Sequence, residues 1–383
     1  MNSFEQLGLD AWLIDRLAKN FIKTPTDIQT LSIPLIVEGH DVLGKAPTGT
    51  GKTLAFLLPI FQRLDEQVKG VQVLILSPTR ELAIQITEQA QMLADQTWIK
   101  VLPIYGGVDS QNQQKKLSHG VTVVVATPGR LMDHLRQGTL KLDKVKTVVI
   151  DEADQMLLMG FKNEVTFIMS GLQSKGPVLC FSATLESDVK KLAYRWMNDP
   201  QVINTENPNE ALEAIEQRIV FTSDRWKTEA LIESMENTNP YLGMIFCRTI
   251  RRVDKLEEQL IQRGFDCQKL HGDLSQNVRQ RVMKAFKDGK FQYLVTTDVA
   301  ARGIDVTGIT HIYNFDFPDA PEGYVHRIGR TGRMGKDGIA ISLVTPKDML
   351  MLSEVEKAVA VKFEKSTFER PEGFVDRTHR KEE

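Results

Sequence analysis

Short apolar runs rich in β-branched residues alternate along this chain with longer segments in which apolar positions recur three or four residues apart. The runs in the first half cover residues 72–77, 121–126, 147–150 and 178–181, and residues 81–93 show the helical spacing. The runs in the second half cover residues 244–247, 291–296, 311–314 and 338–344. Alternation of this kind is typical of parallel sheets flanked by helices. The pattern therefore predicts an α/β fold.

A polar stretch divides this pattern into two halves. Residues 198–216 contain Asn-Asp-Pro and Asn-Pro-Asn-Glu, which favour turns. We predict a first domain over residues 1–205, a linker over residues 206–216 and a second domain over residues 217–365, each domain large enough to bury its own core. Residues 366–383 are polar and mixed in charge, which predicts a short disordered tail.

The composition and the net charge exclude several classes of protein and limit how this chain could bind nucleic acid. The 48 basic and 50 acidic side chains leave a formal net charge of -2, so any binding of nucleic acid must use a local surface. The cysteines stand far apart in the sequence, which excludes a disulfide framework and a cysteine metal site and predicts buried thiols at Cys180, Cys247 and Cys267. No signal segment opens the chain and no apolar stretch is long enough to span a membrane, so we expect a soluble cytoplasmic protein.

A glycine-rich segment has the composition of a phosphate-binding loop. Its sequence is Ala46-Pro47-Thr48-Gly49-Thr50-Gly51-Lys52-Thr53, and it lies between an apolar segment ending at Leu43 and a stretch of helical character over residues 54–61. Glycines let backbone N–H groups converge on phosphate oxygens, the lysine reaches the outer phosphates, and the threonine hydroxyl can ligate Mg²⁺. The generic motif has glycine where this chain has Ala46. The alternative interpretation is a glycine-rich turn that binds nothing.

Three carboxylates follow the apolar run over residues 147–150, in the sequence Asp151-Glu152-Ala153-Asp154. Ligands of open α/β sheets bind at the carboxyl ends of the strands. Asp151 is therefore a candidate Mg²⁺ ligand, partly through water, and Glu152 is a candidate to orient or deprotonate the attacking water. The alternative is an acidic helix N-terminus, which the helix dipole favours equally.

Two arginines in the second half are candidates to stabilise transition-state charge. Arg330 and Arg333 stand three residues apart in His326-Arg327-Ile328-Gly329-Arg330-Thr331-Gly332-Arg333, and would share one face if this segment were helical. Their planar guanidinium groups can donate to phosphate through two nitrogens at once. We expect hydrolysis to require closure of the two domains, because Lys52 and Glu152 lie in the first half. The alternative is a solvated basic turn.

These segments, with others in the same order, resemble the DEAD-box RNA helicases of superfamily 2, and the resemblance extends over most of the chain between residues 4 and 344. Besides the segments above, it is carried by Phe21, Pro25-Thr26-Asp27-Ile28-Gln29, Pro78-Thr79-Arg80-Glu81-Leu82-Ala83, Gly106-Gly107, Thr127-Pro128-Gly129-Arg130, Ser182-Ala183-Thr184, Ile245-Phe246-Cys247-Arg248-Thr249, His271-Gly272-Asp273, Thr296-Thr297-Asp298 and Ala301-Arg302-Gly303-Ile304-Asp305.

The resemblance implies two tandem RecA-like domains of the P-loop NTPase type that bind ATP, Mg²⁺ and one RNA strand. Phe21 would stack on the adenine and Gln29 would hydrogen-bond its edge; the alternatives are a core aromatic and a buried amide. Gly303 and Asp305 would contact the nucleotide from the second domain, where Asp305 is alternatively a helix N-cap. The residues that couple hydrolysis to domain closure would be Asp154, Ser182, Thr184 and His326.

The resemblance also implies RNA contacts in both domains. They would come from Arg80, Gly107, Thr127, Gly129, Arg130, Arg248, Gly272, Gln276, Arg279 and Thr297. Small residues and helix N-termini suit contact with backbone phosphates, and recognition of the 2′-hydroxyl separates RNA from DNA. Each of these residues taken alone is equally typical of an ordinary turn.

The implied activity is that of an ATP-dependent RNA helicase of a minimal bacterial type, without an accessory C-terminal domain. It would clamp single-stranded RNA, bend it with the helix that begins at Leu131, and unwind short duplexes without processive translocation. We expect a monomer whose partners are RNA and, in the cell, precursor particles of the ribosome. Two alternatives are an ATP-dependent RNA clamp with little turnover and a DNA helicase of the same superfamily.

Overall fold

The computed structural model describes residues 3–47, 49–107, 110–173, 176–185, 187–205, 215–301, 306, 308–332, 338–359 and 362–369. The chain forms two compact units, one with the elements from Phe4 to Asn204 and the other with those from Ile215 to Thr367. Each unit is built on a parallel sheet, so the predicted α/β fold is confirmed. In the ranges that are described, no helix is both long enough and apolar enough to cross a membrane.

The described part of the first unit holds a seven-stranded sheet in the order β3-β4-β2-β5-β6-β1-β7. The strands are β1 Val42–Lys45, β2 Val73–Leu76, β3 Val101–Ile104, β4 Val123–Ala126, β5 Thr147–Asp151, β6 Val178–Ser182 and β7 Gln201–Asn204. A 3₁₀ turn covers Phe4–Leu7, and the helices are α1 Ala11–Lys19, α2 Asp27–Glu38, α3 Lys52–Gln62, α4 Arg80–Ala94, α5 Ser110–Ser118, α6 Pro128–Arg136, α7 Ala153–Leu158, α8 Lys162–Ser170 and α9 Ser187–Trp196.

Alternate residues of the central strands pack into two separate cores, one on each face of this sheet. On β2, Val73 and Ile75 join a core that includes Phe56 of α3, whereas Leu74 and Leu76 join a core that includes residues of α6, α8 and α9. Because both faces are buried, the central strands are continuous apolar runs. That is why the sequence pattern indicated them.

The second unit repeats the strand order of the first. Its described strands form a seven-stranded sheet in the order β10-β11-β9-β12-β13-β8-β14. They are β8 Ile215–Phe221, β9 Gly243–Cys247, β10 Cys267–Leu270, β11 Tyr293–Thr297, β12 His311–Asn314, β13 Gly338–Val344 and β14 Glu364–Thr367. The helices are α10 Lys227–Thr238, α11 Ile250–Gln262, α12 Gln276–Lys287, α13 Asp298–Ala301, α14 Pro321–Ile328 and α15 Met349–Val359, with a 3₁₀ turn over Pro346–Asp348.

Three predicted boundaries differ from the structure. Strand β8 begins at Ile215, inside the predicted linker, and β14 reaches Thr367, two residues into the predicted tail. Helix α6 begins at Pro128 rather than Leu131, because Thr127 is extended and proline is favoured in the first turn of a helix. Residues 206–214 and 370–383, which make up most of the predicted linker and tail, lie outside the described residues.

Candidate functional site

The phosphate-loop segment lies at the carboxyl end of β1 and leads into α3. Gly51 precedes the helix with a φ of 92°, a conformation that glycine adopts without strain. Lys52 is the first residue of α3, and its Nζ donates to the carbonyl oxygen of Ala46 at 2.7 Å. The loop therefore wraps around its own lysine at a helix N-terminus, where backbone N–H groups and the helix dipole favour an anion.

The acidic segment lies beside this loop, because β5 and β1 both flank β6. Asp151 ends β5 and is only 2% exposed. Its burial raises its pKa to about 7, since loss of hydration outweighs the charge of Lys52 and the neighbouring Glu152 adds to the rise. Glu152 has a φ of 51°, an uncommon conformation for a residue other than glycine. Strain of this kind is typical of functional turns.

Ser182 connects the loop to the acidic segment. It ends β6 between β5 and β1; its Oγ accepts the N–H of Asp154 at 3.3 Å, and its carbonyl accepts the N–H of Ala46 at 3.1 Å. Thr184, two residues further on, is half-buried. The structure thus brings the phosphate loop, the carboxylates and Ser182 together at one edge of the sheet.

The two residues predicted to recognise the adenine are Phe21 and Gln29, and their surroundings differ. The side chain of Phe21 is 87% exposed, and the residue has a φ of 60°. It is therefore not a core aromatic. Gln29 is buried in α2, where its Nε2 donates to the carbonyl of Gly51 at 3.0 Å and its Oε1 accepts the N–H of Thr26 at 3.0 Å. Gln29 consequently fixes the end of the phosphate loop, a contact that the sequence did not predict.

The other half of the same sheet edge carries the residues predicted to contact RNA. Arg80 begins α4 after β2, Gly107 follows β3, and Thr127, Gly129 and Arg130 lie where β4 enters α6. Gly107 has a φ of 84°, and any Cβ atom there would overlap the guanidinium of Arg80. These residues meet because β3, β4 and β2 are neighbours in the sheet.

The second unit places its predicted RNA contacts after the corresponding strands. Arg248 follows β9, Gly272 follows β10, and Thr297 ends β11, while Gln276 and Arg279 lie in the first turn of α12. The side chain of Arg248 is 42% exposed and forms an ion pair with Asp319 at 2.9 Å. Gln276 is 8% exposed, and among the described residues neither its Oε1 nor its Nε2 has a hydrogen-bond partner.

The arginine segment follows helix α14. The helix ends at Ile328, so Arg330 stands in the turn after it, and the helical condition under which Arg330 and Arg333 would share one face is not met at Arg330. Arg330 is buried, and its N–H donates to the carbonyl of Arg327 at 3.1 Å. His326 is half-buried in the last turn of α14. Four predicted site residues lie outside the described residues: Thr48, Gly303, Asp305 and Arg333.

A buried ion network in the second unit was not predicted from the sequence. The carboxylate of Asp316, only 2% exposed, accepts hydrogen bonds from Lys227 Nζ at 3.3 Å and from the N–H of Arg248 at 2.9 Å, and forms an ion pair with Arg252, whose Nε lies 2.8 Å away. Lys227 begins the helix after the first strand of its sheet, which is the topological position of Lys52 in the first unit. No local sequence pattern marks Lys227 as part of this network. Its position after the first strand, which it shares with Lys52, is the feature that could have pointed to it.

Family models match both units. The model described as DEAD/DEAH box helicase matches residues 26–192, and the model described as helicase conserved C-terminal domain matches residues 226–335. Two curated relatives are similar over most of the chain. The DEAD-box ATP-dependent RNA helicase CshA of Geobacillus kaustophilus is 42% identical over 95% of this chain and 78% of its own length. The ATP-dependent RNA helicase CshA of Listeria monocytogenes is 43% identical over 93% of this chain and 69% of its own length.

Solved structures of similar proteins include two with bound RNA. Dbp5 of S. cerevisiae bound to RNA and ADP BeF3 has a TM-score of 0.89, with 30% identity and 96% of each chain covered. Mss116p bound to ssRNA and AMP-PNP has a TM-score of 0.88, with 31% identity over 96% of this chain and 79% of that one. Similarity at this level joins the present chain to these proteins in both sequence and fold.

Proposed function

The chain belongs to the DEAD/DEAH box helicase family, and from that membership we propose that it is an RNA-dependent ATPase that clamps single-stranded RNA and locally separates short duplexes. One observation carries the proposal. In the first unit, the phosphate loop follows β1, the carboxylates lie at the end of β5 and Ser182 ends β6, whereas the predicted RNA contacts follow β2, β3 and β4. One edge of this sheet thus has two adjacent halves: one carries the residues proposed to bind ATP, and the other carries the residues proposed to bind RNA.

ATP binding is supported by the surroundings of the phosphate loop. An exposed Phe21 ring held on a strained backbone suits stacking on adenine, and the buried amide of Gln29 stands beside the loop with further hydrogen-bonding capacity. We propose that Lys52 exchanges its bond to the Ala46 carbonyl for the outer phosphates, with the loop N–H groups and Thr53 around them. Gly303 and Asp305 are proposed to contact the nucleotide from the second unit.

Mg²⁺ fits the residues at this edge. No three His, Cys, Asp or Glu side chains gather as a metal site within the described residues. Mg²⁺, however, commonly uses one or two protein ligands together with phosphates and water. The buried carboxylate of Asp151, with its raised pKa, and the hydroxyl of Thr53 would hold it. When bound, the ion supplies charge that neutralises the phosphate oxygens.

Different residues are proposed to activate the attacking water and to stabilise the charge on the phosphate during ATP hydrolysis. Glu152 orients the attacking water and accepts its proton, and its unusual backbone conformation sets the direction of its carboxylate. Arg330 and Arg333 of the second unit stabilise the charge that develops on the phosphate, so both units are needed for turnover. Asp154, Ser182, Thr184 and His326 would transmit the state of the nucleotide to the rest of the chain.

RNA binding is supported by an unsatisfied buried amide as well as by position. Gln276 lies at the N-terminus of α12, where backbone N–H groups favour a phosphate, and among the described residues its side chain has no hydrogen-bond partner. A buried amide without a partner is costly unless a ligand satisfies it. We propose that the RNA backbone does so, and that Arg80, Gly107, Thr127, Gly129, Arg130, Arg248, Gly272, Arg279 and Thr297 complete the contact. We also propose that the protein acts as a cytoplasmic monomer on ribosomal precursor particles.

The test compares ATP hydrolysis by the wild type and Glu152→Gln, each without nucleic acid, with single-stranded RNA and with DNA of the same sequence. Removal of a catalytic base is expected to lower the RNA-stimulated rate by about 10²- to 10⁴-fold. The matched control is Glu88→Gln, the same change at an exposed position of α4, which should hydrolyse ATP like the wild type. Equal stimulation by DNA would overturn the RNA assignment, and activity that survives Glu152→Gln would overturn the catalytic one.

A further inference from the structure

A buried glutamine joins two of the segments proposed to contact RNA. Gln113 lies in α5 and is 6% exposed. Its Nε2 donates to the carbonyl of Tyr105, at the beginning of the turn that contains Gly107, at 3.2 Å. Its Oε1 accepts the Nε of Arg130 at 3.2 Å. One amide therefore connects the turn after β3 to the first turn of α6.

His134 gives the same oxygen a second donor. Its Nε2 lies 3.2 Å from Gln113 Oε1, and its Nδ1 lies 2.8 Å from the hydroxyl of Thr139. Because the amide oxygen can only accept, Nε2 must carry a proton; the Thr139 hydroxyl near Nδ1 also donates to the carbonyl of His134 at 3.1 Å. Burial lowers the pKa of His134, with Arg130 contributing, and so favours the neutral ring. Gln113 Oε1 is thus held between two donors from α6.

The chemistry at this position requires an amide. The atom facing Tyr105 must donate and the atom facing Arg130 must accept, and among side chains of this length only glutamine does both. A glutamate would place an acceptor against the Tyr105 carbonyl and a full negative charge against Arg130. Because Arg130 is bonded through Nε, Gln113 constrains the orientation of its guanidinium plane, and a constrained plane is what recognition of phosphate by two nitrogens needs.

We propose that Gln113 is a positioning residue for RNA binding, one that sets the guanidinium of Arg130 and the turn from Tyr105 to Gly107 against the same strand of RNA. This inference rests on the proposed function, because it presupposes that Arg130 and Gly107 contact RNA. It assigns a role to a residue of α5 that touches neither the nucleotide nor the reacting atoms.

The experiment compares Gln113→Glu with Gln114→Glu, the same change one residue along the helix. Gln114 is half-buried, and its Nε2 bonds Gln137 on the exposed side of α5 at 3.4 Å, so this variant is expected to behave like the wild type. For Gln113→Glu we expect about tenfold weaker binding of a single-stranded RNA, measured by fluorescence anisotropy, as one charge-assisted contact is lost. The slope of log affinity against log salt should fall by about 0.7, the value for one phosphate contact on a single strand.

Kinetics separate positioning from general damage. The RNA concentration that half-maximally stimulates ATP hydrolysis should rise about tenfold in Gln113→Glu, while the rate at saturating RNA stays within about twofold of the wild type. Arg130→Lys keeps the charge but loses the Nε donor, and adding Gln113→Glu to it should weaken RNA binding by less than about twofold more. If Gln113→Glu alone fails to fold, Gln113→Met serves instead: it keeps the length of the side chain, loses both hydrogen bonds and is expected to weaken RNA binding in the same way.

The two levels of the proposal fail in different ways. Wild type that binds no RNA would overturn the proposed function and the role of Gln113 with it. Wild type that binds RNA, together with Gln113→Glu that binds it equally well and with the same salt slope, would overturn the role of Gln113 alone. Equal losses in Gln113→Glu and Gln114→Glu would likewise overturn it, since the effect would then be one of helix charge.

Discussion

Arg327 is expected to be the residue on which the second unit depends most for stability. It is 3% exposed and donates through Nε and Nη2 to the two carboxylate oxygens of Asp298 at 2.5 and 2.7 Å. Its Nη1 donates to Asn314 Oδ1 at 3.0 Å and to the carbonyl of Asp316 at 2.6 Å. The guanidinium also lies 5.1 Å from the centre of the Phe246 ring. One side chain thus connects α13, β12 and α14.

The magnitude follows from what Arg327→Met would leave behind. Breaking a buried ion pair from one side costs about 3–5 kcal/mol, because the remaining partner loses its compensation. Asp298 has a side-chain exposure of 39%, so water can rehydrate it and the lower end of that range applies. We expect the free energy of unfolding to fall by about 3 kcal/mol. This lowers the midpoint of urea unfolding by about 1.5 M if the free energy falls by about 2 kcal/mol per M urea.

The assay uses the fluorescence of Trp226, which belongs to the second unit, in a background where Trp12, Trp98 and Trp196 are replaced by phenylalanine. Arg327→Lys should recover less than half of the loss, since a single ammonium cannot form the two parallel bonds to Asp298. A double-mutant cycle with Asp298→Asn should show a coupling of about 2 kcal/mol. A lysine as good as the arginine, or a coupling near zero, would refute the reasoning.

Three further predictions concern packing, pH and thiol reactivity. Gly44→Ala would bring a methyl group within 2.7 Å of ring carbons of Phe181, so calorimetry should show a loss of about 1–3 kcal/mol, and an unchanged melting midpoint would contradict the close approach. Burial lowers the pKa of His311 from 6.5 to about 4, so the folded state should lose about 2 kcal/mol, after allowance for solvent, as the pH falls through that window. His311→Gln should remove this loss, and equal pH profiles for the two proteins would exclude His311 as its source. All three thiols are buried, so a thiol reagent should react with none of them before unfolding and with all of them after it: Cys180, Cys247 and Cys267.

The sequence predicted most interior strands well and the edge strands poorly, and among the interior strands it gave no apolar run for β8. The runs over residues 311–314 and 338–344 coincide with β12 and β13, because strands buried on both faces are continuous apolar runs. No apolar run indicated the strands at the sheet edges, which are β3, β7, β10 and β14. All four residues of β14 are exposed, and β7 buries only Ile203, so neither has a pattern that differs from a polar loop.

The residues of the candidate site likewise include some that the sequence predicted and some that it did not. The phosphate loop and the acidic segment were predictable because their chemistry lies in consecutive residues. Gln113 and Asp316 were not, because each acquires its role from partners that are distant in the chain, such as Lys227, 89 residues before Asp316. A buried amide or carboxylate in a sequence carries no local sign of the groups that will surround it. Only the packing of the helices and strands supplies that information.

The repeated strand order has a consequence for how the two units respond to their surroundings. In the first, Lys52 is bonded to a carbonyl and Asp151 has a raised pKa, so the charges at this edge gain by the arrival of a ligand. In the second, Lys227 and Asp316 already neutralise each other, and the counterpart segment, residues 222–226, holds no glycine. In the second unit the charged side chains at this position thus pair with each other without a ligand, and in the first unit they do not. Nucleotide should therefore raise the melting temperature of the first unit more than that of the second. The difference between the two melting temperatures should increase with the nucleotide concentration.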